Sequence, residues 1–143
     1  MDKFPQNFYW GAATSAYQVE GDNANSDWYA WEKKAGKERS AGACHHYQLY
    51  KQDFDLAKSL NHNAHRLSIE WARIEPQEGK FNDTEIRHYI DVIIALRERG
   101  LEPFVTLHHF THPAWLGNNI WLSEATLDGF IEYVRTSVLH VNR

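Results

Sequence analysis

The strongest constraint on this chain is an alternation. Short apolar segments, "FYWGAAT" (8–14), "AHRLSIEW" (64–71) and "EPFVTLHH" (102–109), take turns with longer segments of helical periodicity. The short segments read as strands. The long ones read as helices over about 47–60, 83–99 and 123–140. The first carries Tyr47, Tyr50, Phe54 and Ala57 on one stripe. The second has Ile86, Ile90, Ile93 and Leu96 on its buried face, Asn82 and Glu85 as a capping box and Gly100 as its stop. The third starts behind Ser123 and repeats Leu127, Phe130, Ile131, Val134 and Val138. Strands separated by helices cannot close as hairpins, so they lie parallel with right-handed crossovers. An α/β architecture follows, either open and doubly wound or closed as a (β/α)8 barrel. In both, chemistry collects where the strands end.

Those ends are where the unusual residues sit. "FVTLHHFTHPAWL" (104–116) places His108, His109 and His112 just past the third strand. The stretch 17–46 after the first strand is long for a compact domain, and its Trp28 and Trp31 predict an ordered lid. A metal centre is disfavoured. His45 and His46 form a separate patch, His108 and His109 point to opposite faces of a strand, and no helical H-x-x-x-H pair completes a set. Gly11 and Gly21, ten residues apart, match neither the dinucleotide nor the phosphate-loop spacing. A net charge of -4 without a Lys/Arg cluster argues against nucleic acid or an anionic membrane surface. No window approaches the ~20 apolar residues of a membrane span. The one cysteine, Cys44, and a start without a basic-then-apolar leader point to a reducing, cytoplasmic setting. Aromatic residues make up 14% of the chain, which suits either an aromatic core or a cleft that stacks on sugar rings.

Among the carboxylates, Glu70 shares a strand face with Arg66 and Ser68, a polar stripe opposite Leu67, Ile69 and Trp71. An arginine in an apolar strand keeps its charge and needs a partner. Two partners are open: Glu70, as a buried structural pair, or a carboxylate from a strand that this chain does not contain. Glu75, before Pro76, is expected to be a solvated turn residue, and Glu20 closes "YQVEG". A glycosidase needs two carboxyls across one bond, ~5–5.5 Å apart for retention and ~6.5–9.5 Å for inversion.

Three motifs then carry a resemblance. "FPQNFYWGAATSAYQVEG", "HRLSIEWARIEP" and "EPFVTLHHFTHPAWL", with the spacing between them, resemble the first three strands of glycoside hydrolase family 1, the β-glucosidases and β-galactosidases. The resemblance covers nearly the whole chain. It implies that residues 1–143 are the N-terminal three β/α units of a (β/α)8 barrel, incomplete, from an enzyme that cleaves β-glycosides with retention and without a cofactor or metal. It implies that Gln18 and His109 bind hydroxyls of the terminal sugar, and that Arg66 sits beside the nucleophile and keeps it ionised. Phe110 stands where the family usually has Trp, keeping stacking but losing an indole N–H. Trp121, also expected to meet substrate, falls in "NNIW" where Gly-Gly-Trp is common. His108 is expected to face away from the sugar, and His112 has no assigned role.

The family's acid/base glutamate lies in Asn-Glu-Pro and its nucleophile in Glu-Asn-Gly. Neither tripeptide occurs here. A closed barrel takes ~250 residues, so this chain alone is expected to be inactive, carrying part of the sugar subsite and ending before a fourth strand. Two alternatives remain: a non-catalytic sugar-binding module, and a barrel piece that needs the missing C-terminal part as a partner. Sugar and aglycone preference are not legible.

Overall fold

The computed structural model describes residues 3–118 and 120–141. Three strands, β1 (Gly11–Ala13), β2 (Ala64–Ser68) and β3 (Glu102–Thr106), form one parallel sheet in the order β1-β2-β3. Its register pairs Ala13 with Arg66 and Arg66 with Phe104. Gly11 is required by that pairing, because a β-carbon there would run into the Ala64 carbonyl. Helices α3 (His46–Ser59), α5 (Asp83–Glu98) and α6 (Glu124–Val141) alternate with the strands.

All three helices lie on one face of the sheet. Phe54 and Ala57 of α3 meet Leu67 of β2 and Val92, Ala95 and Leu96 of α5 in one core cluster, with Leu101 beneath. The short helix α4 (Trp71–Ile74) places Trp71 in a second cluster with Ile69, Ile74, Ile86, Tyr89 and Tyr133. Trp71 and Tyr133 stack with centroids 5.1 Å apart. Since Leu67 points to the helices, its neighbours Arg66 and Ser68 point to the other face. None of α3, α5 and α6 covers that second face, and Phe104 on it is 44% exposed.

The strands are shorter than the apolar runs predict. Only Gly11–Ala13 of 8–14 pairs, and Phe8, Tyr9 and Trp10 remain exposed. The second strand ends at Ser68 rather than 71, because the chain turns at once into α4: Glu70 is its N-cap and accepts from Ala72 N. Glu75 is not solvated. It is 3% exposed, accepting from Trp71 Nε1 and Gly79 N at 2.8 Å each, since the turn folds back over it. Half of the expected capping box forms. Asn82 accepts from Thr84 N and Glu85 N, whereas Asn82 N donates to Ile74 O and Glu85 accepts from Tyr47 OH.

The long connection after β1 is ordered. It holds α1 (Ala16–Val19) and α2 (Asp27–Ala35), with buried Ser26 capping α2 and forming an isolated bridge to Pro113. Asp27 Oδ1 accepts from His112 N, and Asp27 N donates to His112 O. The lid is therefore tied to the segment that follows β3.

Candidate active site

The segments after the three strands meet at one end of the sheet. After β1, Ala16 N donates to Ser68 Oγ at 2.7 Å, which fixes α1 against the end of β2. Ser15 Oγ donates to Gln18 Oε1 at 2.6 Å, so the exposed Gln18 side chain has a set direction. After β3, His109 is half-buried and its ring lies 5.5 Å from that of Phe110. Phe110 is 42% exposed and reaches Trp28 of the lid (5.6 Å) and Tyr17 of α1 (6.1 Å). The Tyr17–Phe110 contact joins the element that carries Gln18 to the turn that carries His109. Burial pushes the Tyr17 hydroxyl up to about 12, so it stays protonated.

Arg66 lies on the open sheet face and donates from Nη1 to Thr14 O at 2.7 Å. Among the described residues it has no carboxylate partner, and the Arg66–Glu70 pair does not form. The reason is the early end of β2: beyond Ser68 the same-face rule of a strand no longer applies to Glu70. Instead Glu70, 2% exposed, accepts from Thr111 Oγ1 at 2.9 Å and from Ala72 N at 3.4 Å. Burial is the main cause that raises its carboxyl to about 7.

Trp121 and His108 stand apart from this cluster. Trp121 meets His108 edge-on at 5.0 Å and Phe130 of α6 at 5.5 Å, on the helix side. Burial lowers the pKa of His108, favouring the neutral ring. His112 lies 3.4 Å from Asp27 and acts on the lid.

Sequence reasoning missed the buried polar groups behind the mouth. Arg73 Nε donates to Glu20 at 2.8 Å, and Tyr89 OH donates to the same carboxylate while accepting from Glu70 N. Only the "E" of "YQVEG" and the apolar neighbours of Glu70 hinted at them. Glu20, Glu70 and Glu75 are each 5% exposed or less, so none offers a free carboxyl to a ligand at the mouth. Among the described residues no three His, Cys, Asp or Glu side chains gather as a metal-binding group, and no helix is long and apolar enough to cross a membrane.

Three parallel β/α units with their polar residues at the strand ends define a piece of an α/β barrel whose mouth is suited to a polar ligand. The chain belongs to glycosyl hydrolase family 1, whose sequence model matches residues 1–141. It is 36% identical to β-glucosidase A of Thermotoga maritima, over 94% of this chain and 33% of that protein. It is also 36% identical to the 6-phospho-β-glucosidase GmuD of Bacillus subtilis, over 94% of this chain and 31% of that protein. The β-glycosidase structure from Pyrococcus horikoshii superimposes with a TM-score of 0.91 at 42% identity, over 97% of this chain and 33% of that one. The chain thus spans about a third of the length of these relatives, and its fold is an incomplete part of their barrel.

Proposed function

We propose that this chain supplies part of the sugar-binding subsite of a retaining β-glycosidase acting on β-glucosides or β-galactosides, and that it holds neither catalytic glutamate. In this reading Gln18 and His109 pair with hydroxyls of the terminal sugar and Phe110 packs against its apolar face. Arg66 lies deeper, where its positive charge keeps a neighbouring nucleophile carboxylate ionised. The observation that carries the reading is the Tyr17–Phe110 contact, which sets the Gln18 helix beside the His109 turn. Cys44, exposed and without a disulfide, favours a reducing, cytoplasmic setting.

The chemistry of retention requires an acid/base and a nucleophile on opposite sides of the bond. The glutamates nearest the mouth are committed to Arg73, Tyr89, Thr111, Trp71 and backbone amides, and cannot serve. The 143-residue chain should therefore leave a chromogenic β-glucoside intact. Turnover that a mutation in this chain abolishes would refute the assignment.

A second reading has its own support. Among the described residues no long helix covers the sheet face bearing Arg66 and Phe104, and Leu127, Ile131 and Leu139 of α6 are 46–64% exposed. Such apolar surface favours a barrel piece that acts only with a complementary chain carrying the remaining strands. Turnover appearing only on mixing with that chain is the result that distinguishes it.

A further inference from the structure

Phe110 adopts a left-handed backbone (φ 55°), strained for a residue with a side chain. Thr111 N donates to His109 O at 2.8 Å and closes the turn around it. This strained turn turns Phe110 outward and leaves His109 half-exposed, so something beneath must hold it. What lies beneath is Thr111, 4% exposed, whose hydroxyl donates to Glu70 Oε2 at 2.9 Å. The same hydroxyl has a weaker choice, the His109 carbonyl at 3.5 Å.

Glu70 is built into the fold from three sides. Its second oxygen accepts from Ala72 N, its backbone N donates to Tyr89 OH, and that hydroxyl donates to Glu20. Among the described residues no cation pairs with Glu70: the nearby Arg73 is used by Glu20 and the Gly21 carbonyl. A buried carboxyl without a cation is costly, and a structural N-cap needs only a hydroxyl or amide. The extra oxygen, aimed at Thr111, calls for another explanation.

We propose that Glu70 and Thr111 are positioning residues for the sugar-binding pair His109 and Phe110, a latch that selects the strained turn. The proposal rests on the sugar-subsite reading above. Glu70 acts through Thr111 and touches no ligand itself. The carboxyl raised by burial to about 7 fits a group kept for its hydrogen bond rather than for an ion pair.

The test compares near-isosteric variants of the 143-residue chain. Thr111→Val removes only the hydroxyl; Thr111→Ser restores it. The first readout is the NMR ring signals of His109 and Phe110, and the second is D-glucose affinity by calorimetry. Thr111→Val should move both sets of ring signals and weaken glucose about tenfold, on the scale of one lost hydrogen bond. Thr111→Ser should return both to wild type. If Thr111→Val does not fold, Glu70→Gln, which keeps an acceptor, is compared with Glu70→Ala, which does not; only Glu70→Ala should move the signals. A lower melting temperature with unmoved His109 and Phe110 signals overturns the latch. Glucose that fails to bind wild type overturns the sugar reading, while the ring signals still decide the latch.

Discussion

Two buried groups should give this chain opposing pH dependences, separable by mutation. His65, on the helix side of β2, is 5% exposed. Burial first, then the neighbouring His46, His62 and Arg66, lower its imidazole from 6.5 to about 4. The folded chain therefore binds fewer protons than the unfolded chain between those values. Its contribution is intact above 6.5 and is lost as pH falls through 6.5 towards 4. From pH 7.5 to 5 the loss is about 2 kcal/mol by proton linkage. Glu70 runs the other way. Its carboxyl is raised from 4.5 to about 7, so the folded form takes up a proton first and gains stability as pH falls through 7 towards 4.5. From pH 7.5 to 5 that gain is also about 2 kcal/mol. The two oppose each other, and His88, also lowered from 6.5 to about 4 by burial, and Glu20, raised by burial, act over the same range, so the wild-type profile alone does not isolate either group. Differences from mutants isolate each group. Urea unfolding followed by tryptophan fluorescence at pH 7.5, 6.5, 5.5 and 5.0 is the assay. The advantage of wild type over His65→Gln should shrink by about 2 kcal/mol on going to pH 5, and its advantage over Glu70→Gln should grow by about as much. Two pH-independent differences, or two slopes of the same sign, would show that burial does not set these groups as argued.

Other outcomes follow from single contacts. Asn82→Ala removes the cap of α5, which accepts from Thr84 N and Glu85 N, and should cost about 1 kcal/mol in denaturant unfolding. Tyr133→Phe deletes the hydroxyl bond to Leu107 O at 2.7 Å and should cost about 1 kcal/mol. Leu96→Ala, at a fully buried position shared by α3, α5 and β2, should cost about 2–5 kcal/mol, measured the same way.

The alternation of apolar runs with helical stripes was enough to reach three parallel β/α units, since no other pairing suits that order. The face of α5 was legible from Ile86, Ile93 and Leu96, all buried. The strand ends were not. Ile69, Glu70 and Trp71 continue the apolar run of β2, yet Glu70 caps α4 and Trp71 swings onto Tyr133. Whether a run ends in a strand or a helical turn depends on the tertiary partner that Trp71 finds. Glu75 was misread for a similar reason: its donors, Trp71 Nε1 and Gly79 N, come together only once the turn has formed. The pairing of Arg66 with Glu70 failed because it assumed that strand geometry continues past Ser68 to Glu70. Gln18, His109 and Phe110 were proposed from motif, but nothing in the residue pattern announced Thr111, whose hydroxyl makes a hydrogen bond spanning 41 positions to Glu70.

The most direct measurement is an NMR titration of the isotope-labelled chain with D-glucose and D-galactose. Signals of Gln18, His109 and Phe110 should shift together and saturate, while those of exposed Leu139 on α6 stay still. Silence at all three up to concentrations on the order of tens of millimolar, where binding is worth less than about 3 kcal/mol, or shifts confined to α6, would contradict a sugar subsite at this mouth.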